Sequence, residues 1–183
     1  MSQWLQSLKI FILWTLVCGV IYPLSITLLA SIFFADQSRG SLLLTDGKVS
    51  GSRLIAVRPG KGDFWPRPSV VDYGTFPSGA SNQSLQSQAL KKAMEERAKV
   101  WYEAHGSAAP SEMLFASASG LDPHISPSNA SLQAGRIARE RNLDAKVIEK
   151  LIADHTEKPV LGLFGRPRVN VQMLNHALDN RDG

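Results

Sequence analysis

The sequence predicts one mixed domain, α/β or α+β, over residues 36–183, anchored by one N-terminal transmembrane helix. Three observations lead there. An uncharged apolar run extends from Ile10 to Ala35, short apolar runs broken by glycine and proline follow it, and stretches of helical periodicity lie between those.

The apolar run, IFILWTLVCGVIYPLSITLLASIFFA, is bounded by Lys9 and Asp36. A hydrocarbon core of about 30 Å needs ~20 apolar residues at 1.5 Å each, so the run is long enough to cross it. Pro23 would break a soluble helix, but a spanning helix tolerates it where the freed carbonyl finds another donor. The run is too long for a signal-peptide core, and Phe33-Phe34-Ala35 lacks the small residue at the −3 position, so a permanent anchor is expected. Lys9 places a short cytoplasmic tail at 1–9, the span at 10–35 and an extracytoplasmic domain at 36–183. Arg39, Lys48 and Arg53 pull the other way, although long domains cross largely regardless of charge. Within the span, Gly19, Ser25, Thr27, Ala30 and Ser31 are small enough to admit a partner helix.

Leu42-Leu43-Leu44, the turn signal Asp46-Gly47, Leu54–Val57 and the turn Pro59–Gly62 read as a hairpin or a pair of short strands. Residues 64–83, FWPRPSVVDYGTFPSGASNQ, carry too much proline and glycine for helix or central strand. Phe64, Trp65, Tyr73 and Phe76 are expected to order this stretch as a packed loop that presents a surface. A helix is predicted over 84–105, with Leu90, Met94, Ala98 and Trp101 on one face and Gly106 as its stop. Glu112–Ala116 reads as a strand. Ser126 or Ser128 then caps a helix through Arg141, and Asp144 caps another through His155 with Val147, Leu151 and Ile152 inward. Val160–Phe164 reads as the last strand and Gly165–Arg168 as a turn. Asn170 caps a final helix bearing Val171, Leu174 and Leu178.

What is missing narrows the function. The net charge of +4 is spread among interleaved acids and bases, unlike the concentrated stripe of a nucleic-acid binder, so no nucleic-acid partner is expected. The one cysteine, Cys18, falls inside the apolar run, which excludes a disulfide within 36–183. Around Gly60-Lys61 a phosphate-binding P-loop fails, because Ile55 stands at its first glycine and Gly62 at its Ser/Thr. Neither a G-x-S-x-G elbow, a phosphorylated Asp-Lys-Thr-Gly-Thr run nor a Thr-Val-Gly-Tyr-Gly filter occurs. Asp122-Pro123-His124 contains ligand-type residues, but no H-x-x-x-H pair or cysteine supports a metal. Ser119, Asp122 and His124 would serve a hydrolase by residue type alone, and a ligand-binding module is the other alternative. Arg166 and Arg168, flanking Pro167, form a basic knuckle.

Several runs nevertheless have a specific pattern. They are GSRLI at 51–55, Phe64-Trp65 with Arg67-Pro68-Ser69, Ser78-Gly79 with Ser81-Asn82, ASGLDPHISP at 118–127 and PRVNV at 167–171, with Leu174-Asn175 beyond. In that order, behind one span, they resemble the C subunit of the Kdp-type potassium-transporting P-type ATPase. Ala134-Gly135 stand before Arg136 where that family usually carries Val-Pro, and Arg166 replaces a usual acidic residue. The resemblance implies a non-catalytic, non-phosphorylated accessory subunit in a bacterial inner membrane, supporting assembly and activity as a catalytic chaperone. Its implied partners are a channel-like potassium-binding subunit, a P-type ATPase subunit and a small single-span subunit. ATP and potassium are then used by the complex, with no cofactor expected on this chain. Asp122, Pro123, His124, Arg168 and Asn170 are the residues expected to make contacts or shape a site.

Overall fold

A computed structural model of the chain describes residues 3–45 and 47–181. It divides into two units, one up to Leu42 and one from Leu43 onward. In the first, helix runs unbroken from Gln3 to Phe33, 31 residues, as α1 (Gln3–Leu16), a π-helical turn (Val17–Ile21) and α2 (Tyr22–Phe33). The π turn answers Pro23. Proline lacks an N–H and its ring crowds the carbonyl four residues back, so the helix widens just upstream, where the Tyr22 N–H reaches Val17 O. Ser25, Thr27 and Ser31 donate their hydroxyls to Ile21 O, Pro23 O and Thr27 O at 2.7–2.8 Å. Each polar group is thereby satisfied within the helix, as an apolar surrounding requires. No side chain in the most apolar stretch is covered, which fits a single-pass membrane anchor. A short helix α3 (Ala35–Ser38) follows.

The second unit opens with a two-stranded sheet of β1 (Leu42–Thr45) and β2 (Lys48–Ser52). The turn between them includes Asp46, which lies outside the described residues. The second strand is thus Lys48–Ser52 and not Leu54–Val57, as the apolar run had predicted. The Ser52 hydroxyl accepts the Leu54 N–H at 3.1 Å, and Ile55 bridges back to Ser52, so the chain folds on itself before Leu54 can extend.

Residues 57–87 contain no helix or strand. Phe64 is fully buried and Trp65 and Tyr73 partly so, but Phe76 is 96% exposed, so three of the four aromatics order the loop and Phe76 does not. Helix α4 (Gln88–His105) starts on the Ser87 hydroxyl and stops at left-handed Gly106, with Leu90 and Trp101 buried as their spacing predicts. The stretch expected as a strand from Glu112 is instead a helical turn, α5 (Ser111–Leu114). Extended Pro110 launches it, and the Glu112 carboxylate accepts both the N–H and the hydroxyl of Ser126. Ser126, not Ser128, caps α6 (Pro127–Arg141), with Pro127 in its first turn, after β3 (His124–Ile125). Helix α7 (Ala145–Asp154) follows its Asp144 cap.

The last expected strand is also displaced. Val160–Phe164 forms a tight exposed turn because Leu161 and Gly162 adopt positive φ, whereas a strand needs both extended. Strand β4 (Thr156–Glu157) precedes it and β5 (Arg168–Asn170) follows, leading into α8 (Val171–Asp179). Strand order is β3–β5–β4, antiparallel throughout, with His124 opposite Asn170 and Ile125 opposite Val169. Antiparallel pairing makes the domain α+β. Its core joins Phe64, Ile125 and Val169 to Ile137 of α6, Ile148 and Leu151 of α7, and Leu174 and Leu178 of α8.

Truncating a fully buried member leaves a cavity that rigid neighbours fill poorly. Leu174→Ala is expected to cost about 2–5 kcal/mol in urea denaturation of the reconstituted chain, whereas Leu161→Ala on the exposed turn should fall within about 0.5 kcal/mol of wild type.

Candidate functional site

The run 117–125 is built on Ser117, whose side chain is buried. Its hydroxyl accepts the Gly120 N–H at 2.9 Å, and its own N–H reaches Pro68 O of the long loop at 2.8 Å. Gly120 has φ +72°, and a Cβ there would lie 2.7 Å from the Val71 side chain and 3.1 Å from Gly79 O. Only glycine lets the two segments approach this closely.

Asp122 emerges beside them. One carboxylate oxygen accepts the His124 N–H at 3.0 Å and faces His124 Nδ1 at 3.4 Å, while the other faces Arg67 Nη1 at 3.3 Å. Burial alone would push the carboxyl up, but the His124 hydrogen bonds and the Arg67 guanidinium outweigh it and hold Asp122 below the usual carboxylate range. Pro123 O accepts the Val171 N–H at 2.8 Å, fastening β3 to the start of α8. Opposite His124, Asn170 uses both ends of its amide. Its oxygen accepts the Gln172 and Met173 N–H groups at 3.0 and 3.2 Å, and its nitrogen donates to Arg53 O at 2.8 Å.

Four of the five predicted residues, Asp122, Pro123, His124 and Asn170, therefore meet at the β3–β5 pairing. Arg168 does not join them: it pairs with Glu157 of β4 at 2.8 Å, largely in solvent. The residue that sequence reasoning left out of the cluster is Arg67, whose Nε is buried without a protein partner. Arg67, Asp122, His124, Leu54 and Ile55 line an open cleft of about 510 Å³. The Ser119 hydroxyl is spent on Ser117 and on the Leu121 N–H, and among the described residues no hydrogen bond joins it to His124. No group of three His, Cys, Asp or Glu among the described residues is placed to hold a metal.

A second cavity, about 340 Å³, opens between the long loop and α4, walled by Trp65, Pro68, Tyr73, Val100 and Trp101. Burial pushes the Tyr73 phenol up to about 12 against the pull of Arg58 and Arg97. Beside it Arg136, 5% exposed, places its guanidinium 4.8 Å from the Trp65 ring and donates to Asp63 O, Glu140 and His105. No sequence signal marked Arg136 as a hub, since two of its partners, His105 and Asp63, lie 31 and 73 residues away.

The long loop, the 117–127 run and the 167–171 run thus form one connected polar structure, and the same runs carried the resemblance. A model of the family described as the c chain of the K+-transporting ATPase matches residues 4–180. The chain belongs to that family. It is 45% identical over 166 residues to the potassium-transporting ATPase KdpC subunit of Cereibacter sphaeroides strain KD131, covering 90% of each chain. The corresponding protein of Polaromonas naphthalenivorans is 44% identical over 94% of this chain and 92% of its own. That of Geobacter sulfurreducens is 44% identical over 98% of both.

Two predictions follow from the cluster. Asn170→Ala removes a helix cap and leaves the Arg53 carbonyl without its donor, so denaturation should show a loss of about 1–3 kcal/mol. Because the folded state holds the Asp122 carboxyl below its unfolded value, its contribution is complete above the unfolded pKa near 3.8 and fades as pH falls through the folded one. Acid titration of stability should therefore be shallower in Asp122→Asn than in wild type.

Proposed function

We propose that the chain is a non-phosphorylated accessory subunit of an ATP-driven potassium-uptake complex, supporting the assembly and activity of the pump without performing a chemical step. The observation that carries this reading is how the polar groups of the β3–β5 cluster are used. Both Asp122 oxygens and both ends of the Asn170 amide are engaged in holding segments together. A catalytic constellation instead leaves a nucleophile and a base facing an open position. A family match spanning residues 4–180 supports membership in the complex, and the potassium-transporting ATPase is named in the relatives.

On this reading residues 10–35, within the α1–α2 helix, form a single-pass anchor in a bacterial inner membrane, with residues 1–9 cytoplasmic and the domain from Asp36 extracytoplasmic. The partners are a channel-like potassium-binding subunit, a P-type ATPase subunit and a small single-span subunit. ATP and potassium are handled by the complex, and this chain holds no cofactor of its own. Asp122, Pro123, His124 and Asn170 fix the shape of the docking domain, and Arg168 supplies an exposed charge at its edge.

Affinity purification of the tagged full-length chain from potassium-starved cells in mild detergent, read by mass spectrometry, should recover a P-type ATPase subunit and a multi-span channel-like subunit. Recovery of the chain alone from properly extracted membranes would sink the proposal. In the same preparation His124→Ala should alter assembly or leave it unchanged. Loss of a turnover by orders of magnitude from an assembled, folded complex would instead mark His124 as catalytic.

A further inference from the structure

We propose that His105 and Arg136 form a pH-operated latch, tightening the hold of α4 and α6 on the long loop at neutral pH and loosening it on mild acidification. The His105 ring stacks on Trp101 at 3.9 Å between centroids and 20° between planes. Its Nδ1 lies 3.1 Å from Trp101 O, and its Nε2 lies 3.0 Å from Arg136 Nε. A carbonyl only accepts and a guanidinium only donates, so Nδ1 must carry the proton and Nε2 the lone pair. The two partners thereby fix the neutral ring in one tautomer. A second proton at Nε2 would point at a donor that has no lone pair, and would set two cations against each other at 3.0 Å.

The other groups facing His105 do not relieve this. From α6 come Arg136, Arg139 and Glu140, and the Glu140 carboxylate is already committed to Arg136 Nη1 at 3.2 Å. From the loop comes the Trp65 ring, perpendicular to the imidazole at 5.0 Å between centroids, and from α4 itself the Trp101 carbonyl. Burial lowers the pKa of the imidazole and the two guanidinium groups lower it further. The Trp101 carbonyl and Glu140 oppose them, and the balance lies below the ordinary histidine value of 6.5. Above about 6.5 both latched and released rings are neutral and the latch is complete. Below it the released ring takes up a proton first, so the latch weakens as pH falls until the latched ring itself titrates.

What the latch holds is the loop backbone. Arg136 Nη2 donates to Asp63 O at 2.6 Å while its guanidinium covers the Trp65 ring, so displacing Arg136 removes these two holds on 63–65 and leaves those of Gln133, Arg141 and Asn175. Trp65 and Tyr73 of that loop also wall the 340 Å³ cavity against Trp101, so loosening reaches this wall through the Trp65 ring that Arg136 covers. The latch rests on these contacts and not on the proposed subunit role, although a domain outside the cytoplasm would meet such changes of pH.

The test is hydrogen exchange by mass spectrometry on the full-length chain in nanodiscs, corrected for intrinsic rates, between about pH 7.5 and 5.5. Exchange in the segment 62–73 should accelerate several-fold on acidification while α6, α7 and α8 stay protected. In His105→Gln, whose side-chain oxygen still accepts from Arg136 but does not titrate, the acceleration should disappear. Independently, NMR of labelled histidine should show the Nδ1–H tautomer for His105 at neutral pH. A variant with His124, His155 and His176 all replaced by Gln should keep the acid response. Exchange that ignores pH, an equal response in His105→Gln, loss of the response in the triple variant, or an Nε2–H tautomer would each overturn the latch.

Discussion

The domain depends on one constraint: a loop of some thirty residues without a ladder partner must still have its backbone polar groups paired where it is buried. Side chains from the helices do this. Asn175 accepts the Phe64 N–H at 2.8 Å and donates to Phe64 O at 3.1 Å. Gln133 does the same for Trp65, at 2.7 and 3.1 Å. Arg136 serves Asp63 O and Arg141 serves Gly62 O, at 2.6 and 2.9 Å. Each amide offers the donor and acceptor that a neighbouring strand would have offered. The loop is thus bonded like a sheet edge, but to helices α6 and α8.

This arrangement explains why Gln133 is fully buried in a helix whose apolar inward residues are Ala130, Ala134, Ile137 and Ala138. A buried amide left unpaired costs more than it would gain from packing, and Trp65 presents both backbone groups to Gln133, with Asn129 and Arg136 as further partners. Ala134 beside Gln133 is buried, whereas Gly135 is exposed, and a Cβ there would meet only the Arg139 side chain at 3.8 Å. Phe64 then enters the core between α6 and α8, tying the loop to Ile137 and Leu174 through the common cluster.

Where sequence and structure agree, the signal was local. The periodicity of Leu90 and Trp101, the Asn170 and Asp144 caps and the inward set Val171, Leu174 and Leu178 are all written within one or two turns of chain. The anchor was legible for the same reason, because length and apolarity alone decide it. Disagreements arose where a distant partner decides. Glu112–Leu114 has strand-like composition but turns as a helix beneath Ser126, and Arg168–Asn170 has no strand pattern yet pairs on both sides. The polar cluster was half legible: the 118–127 and 167–171 runs stood out, while Arg67, Gln133 and Arg136 act across 55 to 73 residues of chain.

Holding a loop by side-chain amides and guanidinium groups has a consequence that a true strand would not have. Ladder hydrogen bonds lie between backbones and fail together, whereas each clasp here belongs to one side chain and opens separately. The core of α6, α7, α8 and β5 is closed by apolar contacts that do not involve residues 66–87, so this part of the loop is able to rearrange while the core stays folded. Phe64 marks the boundary, being both clasped by Asn175 and buried in the core. On the Arg67 side the loop is fixed by charge, through Asp122 to β3; on the Trp65 side a neutral ring, through Arg136 to His105, adds to the hold of Gln133. The first contact persists down to strongly acid pH and the second does not. The loop therefore keeps its charged contact in acid and loses one of its holds on the aromatic side, where Gln133 and Asn175 retain theirs.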